Sequence, residues 1–320
     1  MSHMKLERPQ YGLITSMRPF TIPEWTGTCE LLLSDDAIVL GKHVQVRNAY
    51  HATQHYGVER SLTVPVGTQG TVVIRRITTG PSSMHLVIHV QENCDITIQD
   101  EYHGEGSVAH STILDMAEGS TVRYAILQDL PRDALALMHY EACVTRANLT
   151  WFLCALGADT TQASIETFAG PGSVIRNTSA LLGTGTQQFD IHATTRHEGG
   201  HSTSDMLARG VLDGNARATY HGLIRIDENA PECDSYQKSE VILLSEGAAA
   251  DAIPNLEIHN HRVRCSHGAT IGKIDQEKLF YLQTRGIDEP TAKRMITEGF
   301  LEPLFIAPWQ ELSRERISRS

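Results

Sequence analysis

Short runs in which apolar residues fall at alternate positions recur along most of the chain, separated by turn-forming residues. In Thr121-Val122-Arg123-Tyr124-Ala125-Ile126, Val122, Tyr124 and Ile126 share one face. In Gln188-Phe189-Asp190-Ile191-His192-Ala193, Phe189, Ile191 and Ala193 do the same. Such period-two alternation predicts strands with one buried face. Residues 71–77, 85–90, 203–212, 217–226 and 241–244 read the same way, and Gly119, Gly157, Gly183, Gly199, Gly214 and Gly247 punctuate them. Helical periodicity is nearly absent from Cys29 to Ile274, which excludes βαβ units as the organising motif and leaves a sandwich, a barrel or a solenoid. The strand-plus-turn unit returns every ~20–28 residues, a spacing that narrowly favours the coils of a solenoid.

The pattern changes after Ile274. Asp275 is an N-cap for a helix that runs to Gly286, with the glycine just beyond its end. Asp288-Glu289-Pro290 opens a second helix, with Pro in the first turn where its missing N–H costs little. Ala292, Met295 and Ile296 form its apolar stripe, Gly299 closes it, and Phe300-Leu301-Glu302-Pro303-Leu304-Phe305 follows. Two short helices cannot hide that much apolar surface from each other. They therefore cap the end of the β core or present a surface to a partner. The expected organisation is a short N-terminal extension (1–28), a β core (29–274) and a C-terminal helical segment (275–320).

Composition removes several function classes. The 320 residues carry 27 Lys and Arg against 38 Asp and Glu, a net charge of −11. That balance disfavours a sequence-independent grip on nucleic acid or an anionic membrane. No apolar run approaches the ~20 residues of a spanning helix, and the start of the chain lacks an apolar signal core. The expected location is the cytoplasm. Six cysteines lie scattered without zinc-ribbon spacing, so they are expected to be reduced thiols.

Sixteen histidines are more than a core needs, and they direct attention to metal and acid–base chemistry. His51 and His55 have helical zinc-pair spacing but lack the catalytic Glu. His197-Glu198-Gly199-Gly200-His201 imitates a zincin motif, yet its paired glycines argue against the helix that motif requires. On strands, His192, and separately His259 and His261, are placed to meet neighbours on adjacent coils. The densest set is Leu256 to Gly268, with Glu257, His259, His261, Cys265 and His267. On a strand Cys265 and His267 face the same side, about 7 Å apart by Cα rise. A thiolate beside an imidazole suits iron, zinc or copper, and the alternative is a buried thiol beside a hydrogen-bonded histidine.

The blocks Pro254-Asn255-Leu256-Glu257-Ile258, Val263-Arg264-Cys265-Ser266-His267-Gly268-Ala269-Thr270-Ile271-Gly272 and Leu279-Phe280-Tyr281-Leu282, followed by Arg285-Gly286-Ile287, occur in order. Together they resemble the SufB/SufD family of iron–sulfur cluster assembly scaffolds, over roughly residues 110–305. The resemblance implies a mainly β fold, a right-handed parallel β-helix (β-solenoid) with a small C-terminal α-helical subdomain. It also implies a non-enzymatic scaffold that builds a transient Fe–S cluster from iron and sulfide. A flavin is compatible with it, although no residue supports one.

The implied partners are a SufC-type ABC ATPase and a second subunit, giving a homodimer or a heterodimer with a SufB/SufD paralogue. His267 falls on a SufD-branch residue implicated in cluster assembly, Cys265 on the same strand face completes the expected cluster pair, and Glu240, Glu257 and His259 are the further candidates, as auxiliaries. The ATPase surface is expected on Leu279, Phe280, Leu282, Met295, Ile296, Phe300 and Phe305. The sulfur-accepting cysteine of the SufB branch falls on Ala248, and that branch's Glu falls on Gly268. The Cys-Ser-His-Gly pattern is SufD-like, so the chain resembles a SufD-type or undifferentiated single scaffold. The competing reading is a β-helix enzyme, a metal-dependent hydrolase or lyase working from a His-rich strand face.

Overall fold

The structure, a computed structural model, describes residues 58–304, the strands at 18–21 and 26–34, and the single positions 309 and 315. Its strands form two nine-stranded parallel sheets. One sheet holds β1 (Arg18–Thr21), β3 (Val58–Val64), β5 (Ser82–Val90), β7 (Val108–Met116), β9 (Leu135–Val144), β11 (Thr160–Ala169), β13 (Gln188–His197), β15 (Arg217–Ile226) and β17 (Ala249–Ile258). The other holds β2 (Thr26–Ser34), β4 (Gln69–Thr78), β6 (Asp95–Gly104), β8 (Thr121–Gln128), β10 (Asn148–Ala155), β12 (Val174–Gly183), β14 (Thr203–Leu212), β16 (Asp234–Leu243) and β18 (Arg264–Lys273). Each coil contributes one strand to each sheet, so the chain is a parallel β-solenoid of about eight turns.

The strands expected from alternation lie within β4, β5, β8 and β13, coincide with β14 and β15, and reach the end of β16. Register partners are 25 residues apart at Leu135 and Thr160 but 32 apart at Arg217 and Ala249. The coil from Leu135 thus keeps the expected spacing, and the later ones exceed it because their turns are longer. Within the first 28 residues, β1 and the start of β2 pair with β3 and β4.

Alternation builds the core. In β15 Ala218, Tyr220, Gly222, Ile224 and Ile226 are buried while the residues between them reach the outer face. Stacked coils repeat this every ~4.8 Å, so one buried apolar residue per row becomes a continuous column. Trp151, Tyr124 and Tyr140 cluster in that column with ring centroids 5.0–5.9 Å apart.

The even-strand sheet departs from simple alternation. Ala125 and Leu127, Cys154 and Leu156, Ala180 and Leu182, and Val211 are buried on its outer face as well. They are covered by Leu301, Leu304 and Trp309, with Phe300 packed alongside. A strand buried on both faces reads as a continuous apolar run rather than an alternating one.

Two helices follow, α1 (Gln276–Thr284) and α2 (Glu289–Leu301). Asp275 caps α1 by accepting from the backbone N–H groups of Glu277 and Lys278, and Asp288 caps α2 by accepting from that of Thr291. Gly299 does not close α2, which continues to Leu301 because Leu301 is anchored on the sheet. α2 lies against β14 and the turn after it against β12, on the flank of the solenoid rather than capping its end. No helix among the described residues is long and apolar enough to cross a membrane.

Candidate functional site

Two inward-facing rows of the even-strand sheet change character along the solenoid axis. One runs Val122, Leu149, Ile175, Ser204, Ser235, Cys265. Its neighbour runs Tyr124, Trp151, Asn177, Met206, Gln237, His267. The first is apolar up to Ile175 and polar from Ser204 onward, the second mixes Asn177, Met206 and Gln237 after Trp151, and they end in a thiol and an imidazole on one face of β18.

That coil is the open end. β17 and β18 stand at the edges of their sheets with no further strand beyond them among the described residues. Inward positions that are buried in earlier coils are uncovered here: Ile258 and Ile271 are 43% and 41% exposed, whereas Ile226 and Val241, their register partners, are buried. Cys265 is half-buried against the core and His267 is exposed. Burial, helped by the nearby Asp234 carboxylate, pushes the Cys265 thiol up to about 11. The free thiol is therefore protonated at neutral pH, and binding a metal would release its proton.

Behind Cys265 lies a polar network that the sequence did not single out. His197 at the end of β13 is fully buried, with Nδ1 2.7 Å from Ser202 Oγ and Nε2 2.8 Å from Ser235 Oγ and 3.0 Å from Ser204 Oγ. Ser202 donates to Gly199 O, so Nδ1 must carry the proton and donate to Ser202, leaving Nε2 to accept. Ser202 Oγ also lies 3.2 Å from the buried Cys233 Sγ. Burial pushes His197 down to about 4, so the ring is neutral at physiological pH. Inward parity at the end of β13 was the available signal, masked by the zincin-like spacing. His201 lies in the following turn at φ +58°, so that pair forms no helical metal motif.

The expected auxiliary residues do not join Cys265 and His267. Glu240 points to the outer face of β16, where it pairs with Arg209 at 2.9 Å and Lys238 at 2.6 Å and lines a groove of about 580 Å³ against α2. Glu257 is exposed on the outer face of β17, 3.7 Å from Arg225. His259 and His261 lie in the turn between β17 and β18 rather than on a strand. Ala248 is buried in the core at the entry to β17.

The expected ATPase surface is also divided. Leu279 is buried, and Phe300 is partly buried with its ring 4.9 Å from the Arg209 guanidinium. Leu282 and Ile296 are half-buried, while Phe280, Tyr281 and Met295 are exposed at 68%, 58% and 44%. Phe305, like His51 and His55, lies outside the described residues.

Comparison with known proteins places these features in a family. Residues 75–300 match the family described as SUF system FeS cluster assembly, SufBD core domain. The iron-sulfur cluster assembly protein SufD of Escherichia coli is 33% identical over 148 residues, 46% of this chain and 35% of that protein. SufD of Bacillus subtilis is 25% identical over 228 residues, 69% of this chain and 52% of its own length. An iron-sulfur cluster assembly SufBD family protein of Mycobacterium bovis is 25% identical over 287 residues, 85% of this chain and 72% of that protein. The match thus spans about a third and about half of the two SufD proteins. With the matched region covering most of the solenoid and both helices, this chain belongs to the SufBD family of Fe–S cluster assembly proteins.

Proposed function

We propose that the chain is a scaffold subunit on which a nascent Fe–S cluster is assembled at the open C-terminal end of the solenoid. The observation that carries this reading is the convergence of two inner rows on Cys265 and His267 at an end left uncovered. Iron and sulfide are cargo in this reading, not a resident cofactor. Cys265 supplies a thiolate once iron displaces its proton, and His267 supplies an imidazole. The mixed set is held more weakly than four thiolates would hold it, which suits a cluster that must leave.

One chain offers two donors, half of a usual ligand set. The remainder comes from a second subunit, a further copy of this chain or a paralogue. Unpaired ten-residue edges at β17 and β18 favour strand addition there, and the exposed Ile258 and Ile271 favour burial. An ABC-type ATPase docks on Phe280, Tyr281 and Met295, the apolar side chains of the helices that the solenoid leaves exposed. Deleting 276–320 is a poor test of that contact, because it would strip Leu301, Leu304 and Trp309 from the outer face of the even-strand sheet.

The function is tested by transfer. The chain, loaded anaerobically with Fe²⁺ and sulfide, is mixed with an apo-ferredoxin. The ferredoxin should acquire its visible absorption faster than with the same iron and sulfide free in solution. Equal rates would remove the scaffold reading.

A further inference from the structure

On the outer flank of the odd-strand sheet, far from the inner rows, Asp190 and His192 on β13 lie beside His221 on β15. His192 and His221 are register partners, and Asp190 is two residues from His192 on the same face. One ligand atom from each of the three lies within 4.8 Å of the others, the one such group found among the described residues. The two imidazole rings stack with centroids 4.3 Å apart and planes 10° from parallel.

The contacts inside this group are unusual for a simple ion pair. Asp190 Oδ1 is 3.0 Å from His192 Nε2 and 3.7 Å from His221 Nε2. That oxygen is buried, His192 meets it out of line for a full hydrogen bond, His221 lies beyond hydrogen-bond reach, and Gln162 on β11 is the register partner of Asp190 on the other side. Two imidazole nitrogens thus converge on one carboxylate oxygen, an arrangement a shared cation would satisfy. The side chains remain 34–42% exposed, which leaves the group open to solvent for entry and for completing a coordination shell.

The alternative, a protonated histidine serving as the counter-ion, fits less well. Two imidazoles stacked at 4.3 Å disfavour charge on either. Arg196 and Arg225, further along these strands, are engaged by Asp227 at 3.0 and 2.9 Å, and Arg217 stands two residues from Thr219, the register partner of Asp190.

We propose that Asp190, His192 and His221 form a binding site for a divalent first-row transition-metal ion on the outer face of the solenoid. Two imidazoles and a carboxylate with open positions suit Fe²⁺, Co²⁺, Ni²⁺ or Zn²⁺, and suit Fe²⁺ in particular. The site is separate from Cys265 and His267, which lie on β18 and face inward. If the chain is the scaffold proposed above, an ion held here is ferrous iron bound outside the cluster site; the metal binding itself does not depend on that reading.

The test is anaerobic titration of the whole chain with Co²⁺, followed by its visible d–d absorption, in a Cys265→Ala/His267→Ala background and without sulfide. The expected result is one Co²⁺ per chain, competed by Fe²⁺. Adding His221→Gln, or separately Asp190→Asn, should weaken binding roughly tenfold or more, with the parental circular dichroism and melting retained. His85→Gln, on an earlier coil of the same sheet, should leave binding unchanged. Absence of Co²⁺ binding in the Cys265/His267 background, or equal affinity after both site substitutions, would overturn the proposal. The scaffold reading fails on a different result, the ferredoxin transfer.

Discussion

Replacing His197 with Gln removes one titrating group from the interior while keeping a side chain able to hydrogen-bond. In the folded chain His197 is pushed down to about 4, against an ordinary histidine value of 6.5. Above pH 6.5 both states are neutral and the stabilisation is complete. As the pH falls, the unfolded chain takes up the proton first, and stability drains until the folded ring also protonates near pH 4. A gap of about 2.5 units at about 1.36 kcal/mol each is roughly 3 kcal/mol, of which about 2 kcal/mol is lost by pH 5. The buried His110 is also lowered, chiefly by burial, and adds its own loss in parent and variant alike.

The assay is urea unfolding at pH 7.5 and pH 5, followed by tryptophan fluorescence and circular dichroism. At pH 7.5 His197→Gln should be less stable by about 1–3 kcal/mol, the cost of a disturbed buried hydrogen bond. By pH 5 the difference should shrink or reverse by about 2 kcal/mol, because only the parent loses the His197 contribution. A difference constant to within about 0.5 kcal/mol would refute the picture of a neutral, buried ring.

Other consequences follow from the same geometry. Arg76 is wholly buried and bonds Asp100 through Nε at 2.7 Å and Nη2 at 2.8 Å, while the Tyr124 hydroxyl donates to Asp100. Arg76→Met should cost about 3–5 kcal/mol in urea unfolding, and Arg76→Met/Asp100→Leu less than that, because the double change leaves no lone buried charge. Gly104 has φ +108°, and a Cβ there would fall 2.0 Å from Thr78 O. Gly104→Ala should therefore destabilise by about 1–3 kcal/mol or more on the same assay. Asp288→Ala removes the α2 cap and should cost about 1 kcal/mol, read as faster proteolysis at 285–290. Phe280→Asp with Met295→Asp should weaken capture of an ABC-type ATPase from the native source without changing the melting temperature; undiminished capture would remove that surface.

What the sequence made legible was local. Alternation at 203–212 and 217–226 located β14 and β15, and Asp275 and Asp288 marked both helix starts. The same alternation placed Cys265 and His267 on one strand face. Hidden properties depended on register between segments 25–32 residues apart, which turn lengths decide. Serines 204 and 235 become a row with Cys265 only once β14, β16 and β18 are aligned. Likewise Asp190, His192 and His221 meet across two strands, although only His192 had been marked as able to meet neighbours on adjacent coils. Glu240 is expected as an auxiliary to Cys265, yet strand parity sends it to the opposite face. Gly299 read as a stop, but the anchoring of Leu301 on the sheet outweighs about 1 kcal/mol of glycine helix penalty.

The claim that the open end of the solenoid is the assembly site is tested most directly by iron and acid-labile sulfide content per chain after anaerobic reconstitution. The parent, Cys265→Ala, His267→Ala and an outer-face control, His192→Ala, are compared at equal recovery of folded protein. Cys265→Ala and His267→Ala should each lose most of both iron and sulfide, while His192→Ala keeps its sulfide. Parental iron and sulfide in both Cys265→Ala and His267→Ala would contradict the account and place the cluster elsewhere.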